Sequence, residues 1–228
     1  MTPAVGQQRD VYVHPIQSPQ KPKVHPNPRS ATADEFDDDA VLHGVLLDGT
    51  VLSGREAEIV EMERSRVANA RLNGISLRQS LFSDSEFDTV DFANARALDT
   101  SLLRCRLTAS RLTGSHWRAG KFTDVTLDGG RADLAQFRAS QLRRVVFQDV
   151  NLLQADFQGA ELAHVRFEGC DLTGAQFAHC KMTRVEFSNC TMLDVGGTAG
   201  LKGAIVRGPG GQELALSLAR DAGILIEP

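Results

Sequence analysis

The stretch Ala155-Asp156-Phe157-Gln158-Gly159-Ala160-Glu161-Leu162-Ala163-His164-Val165-Arg166-Phe167 carries the rule that organises most of this chain. A large apolar residue stands at 157, 162 and 167, and a small or β-branched one stands two places before each. The frame extends in both directions, from Leu72 to Met192, and its large position is Leu, Phe, Met or Trp everywhere except Ala97 and Ala132. The position two before runs from Ala70 to Cys190 and is never charged. The remaining three positions of each pentad are rich in Arg, Asp, Glu, Gln, Thr and Gly, so each pentad turns two side chains inward and three outward. A period of five matches neither the 3.6 of an α-helix nor the 2.0 of a strand. It needs a repeating coil in which each pentad makes one side and then turns a corner.

The number of sides follows from the large positions after Phe137. They alternate strictly, Phe137, Leu142, Phe147, Leu152 and so on to Phe187 and Met192. Four sides per coil bring residues twenty apart into register and give pure ladders, Phe137-Phe157-Phe177 and Phe147-Phe167-Phe187. Three sides would mix Phe and Leu in every stack.

Ala155-Asp156-Phe157-Gln158-Gly159, Ala160-Glu161-Leu162 and Cys170-Asp171-Leu172-Thr173-Gly174 resemble the A-(D/N)-(L/F)-x-x motif of the pentapeptide-repeat family. The resemblance implies an all-β solenoid, a right-handed quadrilateral β-helix. Coils stacked at the usual strand separation of roughly 4.8 Å make a rod on the order of 30–37 Å long. The repeat domain is placed at 41–195 and is best defined over 70–194, with Arg55 and Ala57 as misfits in the early coils.

Residues 1–40 hold six of the eight prolines and then the acidic run Asp34 to Asp39, a composition that predicts a flexible N-terminal tail. Within it, Val11-Tyr12-Val13-His14-Pro15-Ile16 contains the single tyrosine, and Tyr12 is a candidate docking residue. Residues 196–228 lose the period and read as a C-terminal cap, with a short helix over 212–222 closed by Gly223 and a final buried strand at Ile224-Leu225-Ile226. A solenoid must hide its open end, where bare backbone invites aggregation. The family resemblance adds a second reading, a homodimer formed through this end.

Net charge is −4 and the isoelectric point is about 5.9, which argues against a general nucleic-acid binder. No run approaches the 18 or so apolar residues of a membrane span, and the N-terminus lacks the apolar stretch of a secretory signal, so a cytoplasmic location is expected. Cys105, Cys170, Cys180 and Cys190 all fall in the small inward slot, where a thiol acts as a small hydrophobe. The six histidines show no ligand spacing and read as solvated, and no G-x-S-x-G, P-loop or H-E-x-x-H motif occurs. The expectation is therefore no catalytic residue, no cofactor, no metal and no enzyme.

Charge sorted by side is uneven. The side of Phe87, Phe147 and Phe187 exposes Asp128, Asp149, Glu168 and Glu186 among its acids, against Arg106 and Arg166. The adjoining side, from Phe82 to Met182, exposes Arg143 and Arg144 among its bases. Leu134 and Leu153 point outward one coil apart and form a small apolar contact point. These residues predict a non-catalytic interaction or scaffold module that binds another protein. The family resemblance implies an alternative, a DNA-mimic regulator that inhibits DNA gyrase or protects it from poisons. The near-neutral repeat and the absence of loop insertions weigh against that carry-over.

Overall fold

The structure, a computed structural model, describes residues 15–225. Parallel pairing joins residues twenty apart throughout the rod: Leu42 to Met62, Phe82 to Leu102, Phe122 to Leu142 and Leu162 to Met182. About nine coils stack this way around a single core. Two sides fuse from Ser101–Thr108 onward into eight-residue strands, continued by Lys121–Asp128, Gln141–Gln148, Glu161–Glu168 and Lys181–Ser188. The other two sides narrow over the same coils to single bridges such as Arg111 with Arg131 and Gln136 with Asp156. The expected four-sided β-solenoid is what the chain forms.

Each corner needs a residue in the left-handed region, and many of these are not glycine; Asn94, Asp124 and Arg144 sit at φ of 56°, 57° and 52°. That conformation costs an L-residue roughly 1–2 kcal/mol. The corner amides offset part of it by joining the ladder, as when Asn94 N–H donates to the Thr113 carbonyl at 2.9 Å.

The inward pattern holds along the rod. Phe137 and Phe157 stack at 5.0 Å between ring centroids and 12°, and Phe157 and Phe177 at 5.2 Å and 1°. The parallel ladder of Phe147, Phe167 and Phe187 has spacings of 4.9 and 4.8 Å. The two ladders meet edge to face, as at Phe157 and Phe167, 5.7 Å and 86° apart. Such contacts add about 0.5–1.5 kcal/mol each beyond area burial.

Residues 15–40, expected as part of a flexible tail, lie against the rod, while Tyr12 and the other residues of 1–14 fall outside the described part. The second half of the segment is an N-terminal plug. Phe36 is 1% exposed and joins the core, and the Arg55 guanidinium donates to its carbonyl at 3.1 Å. One misfit of the early coils, Arg55, thereby ties the plug down.

At the other end the helix spans Gly210–Asp221 and Gly223 follows at φ 74°, as expected. Its carboxylates receive the free N–H groups of the last coil: Glu213 from Met192 at 2.6 Å, and Asp221 from Thr198 at 2.9 Å. The expected buried final strand is not formed over the described residues. Ile224 and Leu225 are 58% and 89% exposed, because the helix has already closed the end.

Candidate functional site

The corner between the two fused sides carries one residue per coil in the order Arg64, Asp84, Arg104, Asp124, Arg144, His164, Arg184. Neighbours pair vertically. Arg104 holds Asp84 through both oxygens at 2.8 and 2.6 Å, and Arg144 holds Asp124 at 2.6 and 2.7 Å. The Asp84 and Asp124 side chains are nearly buried, because residues 15–24 run down this corner and cover them. Gln17 N–H donates to His164 Nδ1 at 3.1 Å, Gln20 N–H to Asp124 Oδ1 at 3.1 Å, and Lys23 N–H to Asp84 Oδ1 at 3.2 Å. The Arg64 guanidinium then donates to the Lys23 carbonyl at 3.1 Å.

The spacing has a simple origin. Prolines fix φ near −65°, and a polyproline II chain advances about 3.1 Å per residue with three residues per turn, so three residues span about 9.3 Å. Two coils of the solenoid span about 9.6 Å. One strap residue in three therefore meets one acceptor in every second coil. Ile16, Pro19, Pro22, His25 and Pro28 are half-buried, which is the inward face of such a three-fold helix.

Protonation should undo these rungs in order. Burial lowers the pKa of His164, helped by Arg184, Arg143 and Arg144. Hydrogen bonding from Arg104 holds Asp84 low, with the Lys23 amide and ammonium adding to it. Burial pushes Asp124 up, but Arg144, the Gln20 amide and Arg104 outweigh it and the carboxyl is low. A group with a lowered folded pKa stabilises above its unfolded value and stops doing so as pH falls through the folded one. The Gln17 amide resonance should thus move first, below the ordinary histidine value of about 6.5, and those of Gln20 and Lys23 only below about pH 4. Amide shifts followed by NMR check this; all three moving together with Phe157 at global unfolding would refute it.

The sequence reading placed Arg144 on a docking surface; its guanidinium pairs with Asp124. His164, read as solvated, is partly exposed and accepts the Gln17 N–H. Neighbouring Arg143 is exposed and forms no ion pair among the described residues. On the acidic side Asp128 pairs with Arg106, Glu168 with Arg166 at 2.9 Å, and Glu186 with Arg207 at 3.0 Å. Asp149 is exposed, its carboxylate against Gly169, where a Cβ would lie 2.3 Å from Oδ1. Leu134 and Leu153 are neighbours as expected, joined by a 2.8 Å backbone bond and 50% and 37% exposed. Three cysteines are buried; Cys180 is only half-buried, because the coil above it gives way to the turn of Thr198–Leu201. Burial pushes the Cys105 thiol up to about 12 and that of Cys180 to about 11.

A feature not read from the sequence lies on the other two sides. Between Arg71 and Ala139 they present seven arginines against Asp91, Asp99 and Asp133. Arg111 and Arg131 are direct bridge partners, and Arg118 and Arg138 occupy equivalent places on adjacent coils. Like charges directly opposite across strands are destabilising. Relief is partial: Arg131 reaches Asp133 at 3.1 Å and Arg138 reaches Asp156 at 3.4 Å, while Arg111 is 3.9 Å from Asp91. His116, Arg118, Gln136, Arg138 and Gln158 ring a shallow hollow of about 490 Å³. The signal was available by sorting all four sides by charge instead of two.

Among the described residues no three of His, Cys, Asp or Glu come together as a metal cage, and no helix is long and apolar enough to cross a membrane.

The fold defines a four-sided parallel β-solenoid built on pentads. Residues 132–195 match the family described as pentapeptide repeat region. None of the curated proteins matches the chain. Among solved structures it is similar to a pentapeptide repeat protein from the Arabidopsis thaliana thylakoid lumen, at 24% identity and TM-score 0.39, covering 40% of this chain and 64% of that one. It is also similar to trypsin-treated QnrB1, a plasmid-mediated fluoroquinolone resistance protein, at 17% identity and TM-score 0.43, covering 82% of this chain and 100% of that one. A third is Rfr23 from the cyanobacterium Cyanothece 51142, at 16% identity and TM-score 0.29, covering 67% and 88%.

Proposed function

We propose that the protein is a non-catalytic interaction module, a rigid rod that binds an acidic surface of a partner protein in the cytoplasm. The stacked arginines support this reading most directly. Arg111 against Arg131 and Arg118 against Arg138 hold like charges one coil apart, an arrangement that an anionic partner stabilises. Exposed charges are screened over about 10 Å at 0.1 M salt and about 3 Å at 1 M, so capture should fall steeply across that range. With the full chain as bait, partner capture is expected to be lost in Arg118→Glu/Arg138→Glu and to weaken with salt. Capture indifferent to both would move the contact to another face.

At the C-terminal end Leu216, Ile224 and Leu225 are exposed together on the cap, and a homodimer through this surface is the second contact we infer. Sedimentation of the wild type at rising concentration reads it directly; a monomer throughout would leave the helix as a cap only.

Action on DNA gyrase as a duplex mimic needs a continuous negative field. On the acidic side Arg106, Arg166 and Arg207 are paired into the row of acids, and the strap lays Lys21 and Lys23 along the same corner. Gyrase supercoiling is therefore expected to be unaffected by micromolar protein, with or without a quinolone. Dose-dependent inhibition or protection, lost in Asp128→Lys/Asp149→Lys/Glu168→Lys, would establish the mimic instead.

A further inference from the structure

We propose that the corner groove marked by Asp84, Asp124 and His164 is a binding site for extended, proline-spaced peptides of a partner protein, with residues 16–25 filling it as a built-in competitor. The proposal rests on the interaction-module reading and names a ligand for one face of the rod.

The groove holds the strap chiefly through its backbone. Its acceptors take the N–H of every third residue, at Gln17, Gln20 and Lys23, while Pro19 and Pro22 are half-buried and the Ser18 hydroxyl accepts from the Arg166 guanidinium at 3.4 Å. Any chain with a free N–H and an inward apolar residue in that three-residue rhythm meets the same requirement. The recognition is bounded. One step further, Pro26 has no N–H to give and Gly44 has no side chain to receive one.

The occupant is held as a ligand is held. From Pro15 to Val24 the strap makes no backbone ladder with the rod, in contrast to every coil beneath it. Below Ser18–Pro22 it bridges a cavity of about 320 Å³ lined by Glu86, Arg106, Thr126, Val146, Arg166 and Glu168. A segment with few contacts opens at a lower free energy than the fold as a whole. A second chain of the same chemistry can then take its place.

The test uses the full chain carrying Gln20→Pro and Lys23→Pro, which removes two N–H donors yet keeps the extended backbone. The probe is a fluorescent peptide with the sequence of residues 15–25, followed by polarisation, alongside hydrogen exchange of the Gln17 amide. The variant should release its strap and bind the peptide at least about ten-fold more tightly than the wild type, which still carries its competitor. A peptide with the same two prolines should not bind, and Asp84→Ala/Asp124→Ala in the protein, which removes both acceptors, should abolish binding. An open strap with no peptide binding overturns the proposal. So does a strap that exchanges only with global unfolding and stays closed in the variant. A wild-type dimer that the peptide dissociates overturns the assigned occupant in favour of a second copy. Failure here leaves the arginine-face capture experiment standing, because that contact lies on the opposite sides of the rod.

Discussion

Phe157→Ala is expected to destabilise the protein by roughly 3–5 kcal/mol, whereas Gln158→Ala, one residue on, should change stability by no more than about 0.5 kcal/mol. Phe157 is wholly buried, stacked on Phe137 and Phe177 and met edge-on by Phe147 and Phe167. Truncation removes the apolar burial and both stacking contacts. The backbone resists collapse into the gap, because Asp156 bridges Gln136 and Gln176 and the Phe157 N–H donates to the Gln176 carbonyl on the next coil. Gln158 by contrast lies outward; its side chain accepts from Arg138, and water can replace that contact. Urea melts of the two variants decide the matter, and equal midpoint shifts would sink the inward and outward assignment.

The pentad was legible because each inward residue repeats the same physical demand twenty-odd times. Strict alternation of Phe with Leu or Met then specified four sides, since only a twenty-residue coil keeps like with like. The strap was not legible by composition. Pro15, Pro19, Pro22, Pro26 and Pro28 are what a disordered linker also contains, and a chain without its own apolar core reads as free. Its order resides in a match between two periods, three residues in the strap and forty in the corner ladder. Neither Ile16-Pro19-Pro22-His25-Pro28 nor Asp84-Asp124-His164 signifies anything alone. Sorting charge on two sides missed the arginines on the other two. It also assigned Arg144 to the surface, although Asp124 twenty residues earlier, with opposite charge on the same corner, is the stronger attraction.

Phe36→Ala is the companion test for the end of the rod, and the loss should be about 3 kcal/mol, toward the lower edge of the range for a buried aromatic. The chain's one phenylalanine outside the repeat stands in an acidic run, and an isolated aromatic among aspartates carries no periodicity to reveal its role. Its burial shows that the first coil needs a lid as much as the last coil needs the C-terminal helix. Without the ring, the core at this end faces a void, and the Arg55 guanidinium holds a carbonyl whose segment no longer packs. A solenoid is close to one-dimensional, each coil being stabilised chiefly by its neighbours, so the damage should stay local. Amides near Leu42, Val45 and Leu47 should lose hydrogen-exchange protection, while those of the Phe137 to Phe187 ladders keep theirs. Phe157→Ala should show the converse, loosening the centre first. Uniform loss of protection along the whole rod in Phe36→Ala would mean that the coils unfold as a single unit and that the plug has no separate role.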